Sequence, residues 1–139
     1  MKKTLYLILI CIIIFSLTAC GDSISGDSSQ AIIPKYSSDI HSKEDIETAI
    51  RVAQYYFINE FEGCKLLTIT YGGDDILENH TDFTESGDIK DVIVLVSSFY
   101  VSPNGGDGSL SQNDIYTNWK WIIVKDSNGN WVHKDHGYA

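Results

Sequence analysis

Between Ser42 and Glu62 the apolar residues Ile46, Ala49, Ile50, Ala53, Phe57 and Phe61 recur at steps of three and four. That rhythm lays one stripe along a helix, and Tyr56 widens it. Ser42 suits the N-cap, Glu44, Asp45 and Glu47 bring negative charge to the first turn, and Gly63 supplies the stop. A long helix with a single apolar face predicts a sheet for it to lie on.

The rhythm then changes. Cys64 to Tyr71, with Leu66, Leu67, Ile69 and β-branched threonines, reads as a strand. Residues 72–90 are polar around Ile76, Leu77 and Phe83, with room for a short helix. Asp91 to Val101 alternates Val92, Val94 and Val96 with Ile93, Leu95 and Phe99; both faces are apolar, so the strand is central. A glycine-rich loop follows at 102–113, then strands from Tyr116 to Lys125 and from Trp131 to Asp135. Asn128-Gly129 between those two runs is a strong hairpin signal. One long N-terminal helix packed on an antiparallel sheet of about four strands gives a single α+β domain over residues 42–139.

Upstream the pattern is different again. Met1, Lys2 and Lys3 precede a nearly unbroken apolar run from Leu5 to Leu17. As a helix this run spans about 20 Å at ~1.5 Å per residue, short of the roughly 30 Å of a bilayer's hydrocarbon. It has the form of a signal peptide rather than a membrane span. Leu17-Thr18-Ala19-Cys20 resembles the lipobox of lipoprotein precursors, which implies a signal at 1–19 and lipidation of Cys20. Residues 20–41, rich in Ser, Gly and Asp, read as the lipidated cysteine and a flexible tether. The apolar patch Ala31-Ile32-Ile33-Pro34 offers a point where that tether docks back. The expected location is the extracytoplasmic face of the cell membrane.

Charge narrows the partners. The chain carries 19 acids against 10 Lys and Arg, a net charge of −9, and losing Lys2 and Lys3 with the signal makes it more negative. Nucleic acid is excluded as a partner, because phosphates call for clustered cations. An anionic membrane surface repels the domain, so the lipid alone is expected to hold it there. Of the three cysteines, Cys11 leaves with the signal and Cys20 is alkylated, so Cys64 has no intramolecular disulfide partner. No cofactor motif is present.

Several constellations carry chemistry. His133, Asp135 and His136 suggest a metal site, with His80 or Asp107 as further ligands. On a regular strand, however, His133 and Asp135 share a face and His136 takes the other. The loop Asn104 to Ser109 holds Asp107 among glycines, which permits a calcium or anion loop. One acid is few for a calcium cage, and a tight connection between strands explains the same residues. Cys64 with His133 and Asp135 would make a nucleophile set that nothing in the sequence brings together. Trp119, Trp121 and Ile123 alternate onto one face, and Trp131 pairing across the hairpin would complete an aromatic patch near Tyr116. That patch is either core packing against the helix or a surface for sugars, peptides or a partner protein.

Glu60-Phe61-Glu62-Gly63-Cys64, Val92-Ile93-Val94-Leu95, Gly105-Gly106-Asp107-Gly108-Ser109-Leu110, Tyr116-Thr117-Asn118-Trp119-Lys120-Trp121-Ile122 and His133-Lys134-Asp135-His136-Gly137-Tyr138 together resemble a group of small lipoproteins of Gram-positive bacteria. The resemblance covers most of 42–139 and implies no activity. The order of elements is also similar to cystatin-like and nuclear-transport-factor-2-like layouts, in which a curved sheet wraps a helix. The expectation is a membrane-anchored, non-enzymatic binding or interaction domain with a glycan or envelope protein as partner. Its binding residues are Tyr116, Trp119, Trp121 and Asp107. The alternatives are a small hydrolase or isomerase using His133 and Asp135 as an acid–base pair, and a structural subunit of an envelope complex.

Overall fold

Ser42 caps a helix, α1 (Lys43–Glu60), in the computed structural model, which describes residues 25–79 and 87–138. Cys20 with the 1–19 segment, His80, Phe83 and the side chain of Leu77 lie outside the described residues. The Ser42 hydroxyl accepts the Asp45 N–H at 3.1 Å and donates to Asp45 Oδ2 at 2.8 Å, satisfying one orphan donor of the first turn. Ile46, Ala49, Ile50, Ala53 and Phe57 are buried, so the apolar stripe is the packed face.

Four strands follow: β1 (Cys64–Tyr71), β2 (Asp91–Val101), β3 (Ile115–Lys125) and β4 (Trp131–Gly137). They form one antiparallel sheet in the order β1-β2-β3-β4. The protein is therefore α+β. The helix precedes the strands but sits mid-chain at 43–60, not at the N-terminus of the chain.

Each side of the sheet has its own core. On the helix side Leu66, Ile93, Leu95, Phe99, Trp121 and Ile123 pack against α1. On the other, Val92, Val94, Ile122 and Val124 form a smaller cluster with Ile76 and Ile89. Ile76, on a 3-10 helix at Asp74–Asn79, and Ile89 thus cover part of the second face. Both apolar faces of β2 are used, as its alternation predicts.

Much of the segment expected to be a tether is laid against the fold instead. Asp27 and Ile32 bridge in parallel to Lys65 and Thr68 on the free edge of β1. Ile32 N–H donates to the Leu67 carbonyl at 2.9 Å, and the Ile69 N–H to the Ile32 carbonyl at 3.1 Å. Pairing satisfies backbone groups that an open edge would leave to another chain. Gly26 allows the approach: a Cβ there would sit 2.3 Å from the Phe57 carbonyl oxygen. Farther on, Asp74 ties the segment down by accepting from the Ser38 hydroxyl at 2.6 Å and the Asp39 N–H at 2.9 Å.

Candidate functional site

Two β-bulges at one end of the sheet build the site. In β3, Trp119 pairs with Ser97 but Tyr116 pairs with Phe99, so Thr117 and Asn118 together oppose the single residue Ser98. Asn118 takes a left-handed conformation, φ 57°, to absorb the extra residue. Tyr116 and Trp119 consequently face the helix side together, although they are three residues apart. In β4, His133 pairs with Ile123, Asp135 with Ile122 and His136 with Trp121, which leaves Lys134 as the extra residue. His133 and His136 therefore share the helix-side face, and Asp135 is turned to the opposite one with Ile122.

This overturns the expected His133/Asp135 pair. An unbroken strand would have placed those two together; the bulge at Lys134 shifts the alternation by one residue. The Asp135 carboxylate instead accepts the His136 backbone N–H at 2.8 Å. Nε2 of His133 lies 3.0 Å from Nδ1 of His136, and the His133 ring stacks on Tyr56 with centroids 3.8 Å apart. Burial lowers the pKa of both imidazoles, and for His133 the neighbouring His136 lowers it further; Asp135 opposes the shift in both. The neutral pair is thereby favoured, one ring donating and the other accepting.

His136 is the hub of the rings. Its centroid lies 5.3 Å from Tyr56, Phe61 and Trp121, and 5.8 Å from Trp119. Tyr56, Phe61, Trp119 and His136, together with Glu60 and Asp107, line a cleft of about 170 Å³. At roughly 30 Å³ per molecule of liquid water, that is room for about five or six waters. Tyr116 stands behind Trp119, edge to face at 5.9 Å, stacks on Phe99 at 5.2 Å, and accepts the Ser111 N–H through its hydroxyl. It supports the cleft without lining it.

The indoles divide. Trp121 is fully buried, and its Nε1–H donates to the Ser97 hydroxyl at 2.8 Å. It is the core floor beneath the histidines, which is the core-packing alternative for this residue and not the binding-surface one. Trp131 pairs with Lys125 at the far end of the hairpin, where its Nε1–H donates to Asp45 at 2.7 Å. The register of the tight turn keeps it away from Trp119, so no patch of three indoles forms. Trp119 alone combines partial exposure with a place in the cleft, and its shielded Nε1–H has no partner among the described residues.

The glycine loop reaches the cleft by close packing. A Cβ on Gly105 would lie 2.4 Å from the Gly63 carbonyl oxygen, and the Gly106 N–H donates to the Glu62 carbonyl at 2.7 Å. Asp107 Oδ1 accepts both the hydroxyl and the N–H of Ser109, at 2.6 and 2.9 Å. Those bonds, the hydroxyl first, hold its carboxyl below the usual range. Among the described residues no three His, Cys, Asp or Glu side chains gather as a metal site. Cys64 is buried on β1, at the opposite edge of the sheet from β4. Burial first, then the charge of Asp107, pushes its thiol up to about 11, so it is no nucleophile at neutral pH.

A second concavity was hidden in the segment read as tether. A groove of about 750 Å³ runs between residues 33–38 and α1. The apolar run at 31–34 was its one legible signal.

No family model matches the chain, and neither does any curated protein or solved structure.

Proposed function

We propose that the chain is a lipid-anchored extracytoplasmic binding domain, non-enzymatic, whose cleft takes one hydroxylated ring of an envelope glycan. The observation that carries this reading is the pair of bulges, which turn Trp119 and His136 toward one small cleft. Bulges concentrate where a strand must re-aim a side chain at a site. An aromatic wall suits the apolar face of a sugar ring, and the Glu60 and Asp107 carboxylates offer acceptors for its hydroxyls. The anchor rests on the Leu17 to Cys20 motif; no helix among the described residues is long and apolar enough to cross a membrane. The helix against a bulged meander is consistent with the cystatin-like or nuclear-transport-factor-2-like layout.

The test is capture of soluble peptidoglycan fragments by the full chain and by Trp119→Ala. The variant is expected to melt within a few degrees of wild type and to lose capture. Unchanged capture by Trp119→Ala, or none by the wild type, would overturn the proposal.

A further inference from the structure

The groove on the other flank of α1 shares no lining residue with the cleft. Ile33 and Tyr36 from the docked segment and Ile50 from α1 give it apolar walls, while Lys35, Lys43 and Arg51 stand around it. Its volume, about 750 Å³, falls in the range of about 300–1,000 Å³ common for small-molecule sites. Its charge is the reverse of the chain's. Acids outnumber Lys and Arg by 19 to 10 overall, yet here three cations meet one acid, Glu47. Glu47 already sits 3.5 Å from Lys43. Lys35 and Arg51 have no ion-pair partner among the described residues, although Arg51 donates to the Thr48 hydroxyl at 2.8 Å. His41 closes the wall with 2% of its side chain exposed. Its Nδ1 lies 3.5 Å from an Asp91 oxygen, and its shielded Nε2 has no hydrogen-bond partner among the described residues. Buried polar atoms are seldom left so, and the wall therefore holds an unmet polar position.

We propose that this groove is a second binding site, for a small amphipathic carboxylate. The apolar body lies along Ile33, Tyr36 and Ile50, and the two carboxylate oxygens meet Lys35 and Arg51. A neutral ligand leaves those cations unused, and a cationic one is repelled by them. The site is independent of the glycan reading and stands or falls apart from it.

Octanoate and octanol share a tail and differ in charge, so the pair separates the proposal from plain apolar adhesion. Each is titrated calorimetrically into the full chain held in lipid nanodiscs, with empty nanodiscs run alongside. Saturable octanoate binding at least tenfold tighter than octanol is expected, strengthening by up to about fourfold for each further methylene buried. Lys35→Glu combined with Arg51→Glu, both exposed and away from the core, should weaken it at least tenfold with an unchanged melting temperature. Ile33→Asp should weaken it through the tail. Equal affinity for octanol, no saturable octanoate binding, or full binding by the charge-reversed variant would overturn the proposal. So would self-association of the chain that octanoate fails to displace, since a second copy would then be the occupant.

Discussion

Nε2 of His133 and Nδ1 of His136 lie 3.0 Å apart, on the same face of β4, because Lys134 is bulged out between them. The pair sits on the buried indole of Trp121 and under the ring of Tyr56, so both imidazoles are held half-buried where charge is disfavoured. The contact joins the last strand to the helix.

Stability should therefore fall in mild acid. Both histidines have folded pKa values below the ordinary 6.5, so the unfolded chain takes up protons more readily. Their contribution is complete above about pH 6.5 and declines as pH drops below it. The carboxylates held low, Asp45 and Asp74 among them, respond only below their ordinary 3.8, so the two windows separate. Melting temperature followed from pH 7.5 to 5 should decrease in the wild type and flatten in a His133→Gln, His136→Gln double variant. An equal slope in both would refute the assignment.

Trp121→Ala should destabilise the fold by about 3–5 kcal/mol, the range for large aromatic truncations in a packed core. Trp119, half-buried at the rim, should cost about 1 kcal/mol or less. Urea unfolding of the two variants measures the difference, and equal losses would contradict the division between core and cleft.

Asp45 connects the helix start to the hairpin. It receives the Ser42 cap, the Trp131 indole N–H and the Lys125 ammonium, the last at 3.2 Å. Asp45→Ala removes the cap partner and strands the indole donor, for an expected loss of about 1–2 kcal/mol. Asp45→Asn, which keeps an acceptor, should lose less. The ranking is read from urea midpoints.

Gly26→Ala should loosen the docked segment, because the new methyl collides with the Phe57 carbonyl. Amide exchange is the direct measure. Protection at Ile32, Leu66 and Ile69, whose N–H groups bridge the two segments, should drop while β2 stays protected. Undiminished protection at those three amides would show that the segment tolerates the methyl.

The sequence was most legible where one rule ran uninterrupted. Ile46 to Phe57 kept a helical period throughout, and Val92 against Ile93 kept a strict alternation, so both elements and their faces were readable. At Asn118 and Lys134 the alternation is broken by single inserted residues that leave no signature in hydrophobicity. Extrapolating across them put His133 beside Asp135 and His136 on the wrong face. The apolar run at 31–34 marks the docking at Ile32, but the paired stretch at Gly26 and Asp27 is illegible for a different reason. It is held by main-chain bonds to β1, which any side chain allows, and its polar composition pointed elsewhere. Trp121 and Trp119 look equivalent in the pattern; the difference is that Tyr56, Phe57 and the two imidazoles pack on Trp121, whereas Trp119 is half-buried at the cleft.

The most direct test is to follow the three indole N–H signals by NMR while peptidoglycan fragments are added to the isotope-labelled full chain. The account predicts saturable shifts at Trp119 Nε1–H and the His136 ring, with Trp131 Nε1–H, committed to Asp45 far along the hairpin, unmoved. Shifts centred on Trp131, or no shift at Trp119 at saturating ligand, would contradict it.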